Sequence, residues 1–246
     1  MTWTFLTLSA SPFLNTQTSG PSYLYKISFV RAAPGKLLDL ITLFKNQMPA
    51  YDVSADEPPF WWRHTQGDQW DLMLIFPMES YVKYYASDRV SQRKKAQKGT
   101  SLLSEEFQKV YLSLISWQED LFVKGPPLDK FSAEFKAAGY FHIEIFRALP
   151  GKYAELYQER VMENQYQMAF GRPENMIFIK DQGAAWDMFT LGCYRDLSHW
   201  ATRAEVSPEK RMEVARRAGF ESPDAIGPYM RSLILFHRDT MGVAIR

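Results

Sequence analysis

The chain has 246 residues, 46% of them hydrophobic, enough for one large core or two small ones. With 29 basic and 28 acidic side chains the net charge is +1, which excludes an electrostatic fit to nucleic acid or to an anionic membrane surface. A single cysteine, Cys193, excludes an internal disulfide framework and a paired-cysteine metal site, and no apolar run reaches the roughly 18 residues of a membrane span.

Taken in chain order, residues 1–21 read as a leader. Trp3–Leu14 is apolar enough for an export signal, yet the first basic residue is Lys26, whereas such signals open on positive charge. An export signal and a disordered leader both stay open, and with them an exported or periplasmic location against a cytoplasmic one. The alternation Tyr25, Ile27, Phe29 then predicts a strand. Pro34-Gly35 turns it into a helix with apolar positions Leu37, Leu40, Ile41, Phe44 and Met48. Phe60–Gln66 and Trp70–Pro77 predict a hairpin across Gly67-Asp68. Helices from about Glu79 to Gln108 precede a fourth strand at Val110–Glu119. The basic run Arg89, Arg93, Lys94, Lys95, Lys98 within them reads as a solvated helix face. Segment 124–138, carrying Gly125-Pro126-Pro127, is a linker.

From there the pattern repeats. Phe29-Val30-Arg31-Ala32-Ala33-Pro34-Gly35-Lys36 recurs as Ile145-Phe146-Arg147-Ala148-Leu149-Pro150-Gly151-Lys152. The same offset carries Gln66-Gly67 onto Gln182-Gly183 and Trp70-Asp71 onto Trp186-Asp187, and a slightly larger one carries Ser113–Trp117 onto Ser232–Phe236. In the second half, helices span Arg195–Ala218 and the last strand Tyr229–Arg238. Two motifs in one register mark a duplication, which fixes architecture before propensity is consulted. The predicted fold is α+β: two tandem ferredoxin-like βαββαβ repeats, residues 22–123 and 139–246, packing their sheets as a pseudo-twofold dimeric α+β barrel.

Positions shared by the copies read as scaffold. Arg31 and Arg147 are expected to pair with Asp71 and Asp187 across neighbouring strands. Trp70 and Trp186 are expected in the lumen wall, where with Tyr140 and Lys26 they are candidate ligand-binding residues. Positions that differ read as specialisation. Lys26 and Ser28 become His142 and Glu144, and Gln118 becomes His237, while Ile115/Ile234 and Trp117/Phe236 stay apolar and are expected to face the helices. The polar set would then point into the inter-sheet cavity. His142, Glu144 and His237 are the candidate catalytic residues, as acid and base, or the candidate ligands of a divalent metal in a two-His-one-carboxylate set. The alternative is a set of satisfied polar residues at a barrel mouth. His199 reads as an exposed helix residue or a haem ligand, His64 as a strand-end packing residue, and Cys193 as a buried, inert thiol. No dinucleotide-binding glycine motif, P-loop, serine elbow or HExxH motif is present.

The junction of alternating aromatic and aliphatic residues, then Arg, Pro-Gly-Lys and Leu-Leu-Asp-Leu or Tyr-Ala-Glu-Leu, resembles the opening of NIPSNAP-type and EthD-type members of the dimeric α+β barrel superfamily. The resemblance implies a lumen for a small hydrophobic or aromatic molecule. It also implies relatives that include cofactor-free monooxygenases, cyclases, isomerases and haem-binding enzymes. It carries over no catalytic residue. The expected function is thus a monooxygenase, isomerase or cyclase acting in the inter-sheet cavity, or a non-catalytic small-ligand or haem-binding protein. Its cofactor is none, a divalent metal or haem, and further pairing of chains stays open.

Overall fold

Alternating bulky side chains form strands because one face of each must be buried, and here that face turns inward. In the computed structural model, which describes residues 21–54, 56–99 and 105–245, β1 (Tyr23–Ala32) directs Tyr25, Ile27 and Phe29 into the largest core cluster. The apolar segment at Trp3–Leu14 lies outside the described residues.

After β1 come α1 (Leu37–Gln47), the hairpin β2 (Phe60–Gln66) and β3 (Leu72–Glu79), then α2 (Tyr81–Tyr84), α3 (Ser87–Gly99), α4 (Glu105–Leu114) and β4 (Ile115–Gly125). The short helix α5 (Leu128–Ala137) lies within the segment expected as linker. The second half runs β5 (Tyr140–Ala148), α6 (Tyr153–Met168), β6 (Met176–Gln182), β7 (Met188–Tyr194), α7 (Leu197–Ala201), α8 (Pro208–Ala218), α9 (Ile226–Leu233) and β8 (Ile234–Ala244). The eight strands form one antiparallel sheet in the order β1-β3-β2-β8-β5-β7-β6-β4, which closes through β4 on β1. Within it β1 lies between β3 and β4 as β5 lies between β7 and β8. Among the described residues no helix is long and apolar enough to cross a membrane.

The interior is packed with rings. Trp62 stacks on Phe141 at 4.9 Å and Phe178 on Phe189 at 4.5 Å. Helix α5 adds Phe131, fully buried against Phe60, Phe178 and Tyr25 at 4.3–5.7 Å. The segment between the halves is therefore part of the core.

Two sequence expectations are corrected by local geometry. The fourth strand was expected to start at Val110, but α4 runs on to Leu114, because Tyr111 and Leu114 continue a helical stripe against Leu40 and Phe44. The last strand likewise starts at Ile234 rather than Tyr229. Each of these strands then opens on a bulge. Arg31 faces Trp117 while Ala32 faces Ile115, and Arg147 faces Phe236 while Ala148 faces Ile234, so Ser116 and Leu235 are the extra residues. Ile115 and Ile234 consequently face the helices, as expected, but Trp117 and Phe236 turn into the interior. The polar residues Lys26, Ser28, His142, Glu144 and His237 lie on the helix-facing side of the sheet, not in the inter-sheet space.

The expected Arg–Asp pairs are also corrected. Among the described residues no ion pair joins Arg31 to Asp71 or Arg147 to Asp187; both arginines are exposed. Each aspartate instead accepts the backbone N–H freed at the bulge, Ala32 to Asp71 at 2.8 Å and Ala148 to Asp187 at 2.9 Å. A buried amide left unpaired costs more than an exposed arginine gains from a partner. The basic run is not uniformly solvated either: Lys94 and Lys95 are exposed, whereas Arg89 and Arg93 fold back onto Asp56.

The hairpin turns hold the two halves in register. Gly67 has φ 116°, and a Cβ there would fall 2.4 Å from the Asp239 carbonyl oxygen; Gly183 has φ 95° and approaches the Asp120 carbonyl oxygen in the same way, at 3.2 Å. Gly67→Ala meets both backbone strain and a clash, so it should destabilise the protein by roughly 1–3 kcal/mol. Gly35→Ala, at φ 76° with open space around it, meets only the strain and should cost less. Urea denaturation of the two variants measures the difference.

Candidate functional site

Beneath α6, on the helix-facing side, β5 and β8 run antiparallel with Glu144 opposite Asp239 and Phe146 opposite His237. Alternation along the strands brings His142, Glu144, His237 and Asp239 to one face. His142 Nε2 lies 2.9 Å from Asp239 Oδ1. His237 Nε2 lies 3.4 Å from Asp239 Oδ2 and 3.6 Å from Glu144 Oε1, buried and without an aligned hydrogen bond to either. His142, Glu144 and Asp239 each present a potential ligand atom, and these atoms all lie within 4.8 Å of one another.

Helix α6 supplies the second layer. Arg160, 4% exposed at its side chain, holds the fully buried Glu159 through two hydrogen bonds of 2.6 and 2.9 Å, approaches Glu163 at 2.5 Å and stands 4.0 Å from Glu144. Its guanidinium covers the Phe146 ring at 4.8 Å, and that ring stacks on His237 at 4.9 Å. Thr190 Oγ1 on β7 donates to Glu144 at 2.8 Å. Asn164 and Asn175 exchange hydrogen bonds of 2.8 and 3.0 Å, which turns the Asn175 amide toward Glu144 at 3.5 Å.

These contacts set the charges. Burial works to raise the Glu144 carboxyl, but the close approach of His237, His142 and Arg160 and the hydrogen bond from Thr190 hold it below its ordinary value. Burial is likewise overridden at Asp239, which the hydrogen bond to His142 and the nearby His237 imidazole keep well below the carboxylate range. Contact with Asp239 and then with Glu144 pushes the His237 imidazole up to about 9. Burial raises Glu159 despite its Arg160 partner. Glu144, Glu159, Glu163 and Asp239 thus gather four carboxyl groups around the Arg160 guanidinium, with the His142 and His237 rings beside them.

The first half has a lysine at the position of His142. Lys26 Nζ lies 3.0 Å from Asp120 Oδ2, and Asp120 also accepts from Ser28 at 2.5 Å and from Gln118 at 2.9 Å. Asp120 and Asp239 each lie two residues after the Gln118/His237 position, so both halves keep the acidic anchor. In the second half the lysine is replaced by histidine and two further donors appear.

The three sequence candidates His142, Glu144 and His237 are therefore brought together, and Asp239 is the member that comparing the copies had passed over. Its signal was Asp120, an aspartate shared by both copies next to a position already singled out. The candidate ligand-binding residues do not converge. Trp70 and Trp186 are buried in the interior cluster, Tyr140 packs against Tyr194 and Met241 on the outer face, and Lys26 lines a cavity of the first half. His199 is half-buried on α7, with Nδ1 accepting from the Arg195 amide at 3.2 Å; His64 lies against Trp70 at 5.7 Å; Cys193 is buried, and that burial raises its thiol.

A cavity of about 140 Å³ opens from His142 and Glu144 toward Trp200 and Arg203. No family model matches the sequence, and no curated protein is similar to it in sequence. In three dimensions the chain is similar to an anthrone oxidase-like protein, with a TM-score of 0.55 and 9% identity over 92% of both chains. It is also similar to a protein from Lactobacillus acidophilus NCFM with a provisional monooxygenase assignment, with a TM-score of 0.52 and 7% identity over 90% of this chain and 93% of that one. At such identities the likeness is one of fold. Within that fold the chain offers a cavity of small-molecule size beside a potential metal-coordinating group.

Proposed function

We propose that the chain is a metal-assisted enzyme acting on a small molecule, with His142, Glu144 and Asp239 as ligands of a divalent first-row transition ion and His237 as the adjoining acid–base group. The observation that carries this reading is the convergence of one imidazole and two ionised carboxylates within 4.8 Å, where the first half has the Lys26 ammonium instead. Mixed nitrogen and carboxylate donors suit Mn²⁺, Fe²⁺ or Zn²⁺. The ion would supply Lewis acidity or a bound, acidified water. Thr190, Asn175 and Arg160 would orient the carboxylates, as outer partners orient ligands in metal sites generally. The oxidase-like and monooxygenase names of the two structural neighbours fit such chemistry, but the support here is the donor set of this chain.

The same reading takes residues 22–123 and 139–246 as tandem copies standing in for the two chains of a dimeric barrel. The matching strand pairings and the mirrored contacts of Gly67 and Gly183 support it.

Calorimetric titration of chelator-treated protein with Mn²⁺ and Zn²⁺ tests the function. One ion per chain is the expected result. Absence of binding for both ions sinks the metal reading, and a Soret band in the protein as purified would replace it with haem.

A further inference from the structure

Besides Glu144 and Glu163, the 140 Å³ cavity is lined by two arginines, Arg172 before β6 and Arg203 after α7. Both guanidiniums turn toward the same two acceptors at the end of α7. Arg172 Nη1 donates to the carbonyl oxygens of Trp200 and Thr202 at 3.2 and 3.3 Å, and Arg203 Nη1 to the same oxygens at 2.6 and 3.3 Å. Arg172 Nη2 also donates to the Tyr194 hydroxyl at 3.0 Å. Capping a helix end accounts for one arginine. It does not account for a second that must bear the repulsion of the first. Among the described residues neither forms an ion pair with a carboxylate. Burial, and then the Arg172 charge, lower the affinity of Arg203 for its proton. With five N–H donors on each guanidinium, most of Arg203's remain uncommitted.

The cavity is therefore lined by both signs of charge, with Glu144, Glu163 and His142 on the one hand and two guanidiniums on the other. A cavity of about 150 Å³ holds a molecule the size of benzene, so there is room for about six non-hydrogen atoms.

We infer that this cavity selects a short 2-hydroxy carboxylic acid, its carboxylate on Arg203 and Arg172 and its hydroxyl oxygen directed to the ion held by His142, Glu144 and Asp239. The inference rests on the metal reading for its hydroxyl end alone; the arginine end stands without it. Paired guanidiniums match a planar carboxylate through parallel hydrogen bonds, and the anion removes the repulsion between them.

The test is calorimetric binding of L-lactate to metal-loaded and metal-free protein, with lactamide lacking the charge and propionate lacking the hydroxyl. Lactate should bind the loaded protein at least about tenfold more tightly than either control, since each control lacks one of the two charge-assisted contacts. Arg203 is exposed and peripheral to the core, so Arg203→Gln should fold, retain metal affinity and lose at least about tenfold in lactate affinity. Equal binding of lactate and lactamide, or lactate affinity unchanged in Arg203→Gln, overturns the inference while the metal site stands. If no metal binds, yet lactate still exceeds lactamide and depends on Arg203, the metal reading has failed and the anion end has not.

Discussion

Replacing Asp239 by Asn should weaken divalent-metal binding by about 100-fold or more, since even outer partners of metal ligands are worth 10–100-fold. Folding stability of the metal-free protein should change by only about 1 kcal/mol. The asymmetry follows from where Asp239 sits. Its side chain is 50% exposed, and exposed charge pairs contribute little to folding. As a ligand, however, it supplies formal charge that the amide does not. Asp120→Asn in the first half is the matched control. It breaks an ion pair of the same geometry with Lys26 and should leave metal affinity unchanged. Equal loss in both variants, or no loss in Asp239→Asn, would place the ion elsewhere. Glu144 is a poorer test residue, because its removal leaves the buried Arg160 less compensated and mixes folding with binding.

Phe131→Ala should destabilise the fold by about 3–5 kcal/mol, the usual cost of removing a large aromatic from a closed core. Phe131 has no exposed surface and touches rings from β1, β2 and β6, so no single neighbour can collapse into the space. Chemical denaturation gives the value directly. A loss below about 1 kcal/mol would mean that α5 merely rests on the barrel. The Lys130–Glu174 ion pair at 2.7 Å, on the outer side of the same helix, should be worth a small fraction of this when broken.

The order of elements and the partners of β1 were legible because the recurring motifs set two instances of each turn and strand side by side. Which face carries which chemistry was not. Ile115 and Trp117, two residues apart, share a face only in a regular strand; the extra residue Ser116 parts them, and Leu235 does the same to Ile234 and Phe236. A bulge leaves no mark on hydrophobic alternation, so the polar set was assigned to the lumen when it lies on the helix-facing side of the sheet. The lumen also needed more filling than two sheets provide. Phe131 and Phe135 come from a segment whose Gly125-Pro126-Pro127 opening reads as a connector. His142, Glu144 and His237 were legible as differences between copies, a comparison that is silent about residues the copies share. Asp239 was hidden for that reason. Glu159 and Arg160 were hidden for another: charged neighbours on a helix ordinarily belong to solvent, and only the strand beneath them makes their burial tolerable.

Helix α5 also bears on symmetry. The strand order repeats after four places in the same sense around the barrel, so a twofold relating the halves runs along the barrel axis. Helix α5 occurs once, and its Phe131 enters the core between rings of β1, β2 and β6, so the packing of the interior does not follow that twofold. On the proposed reading of the halves as tandem copies, a single chain can hold an interior that two identical chains, bound to repeat every contact, could not.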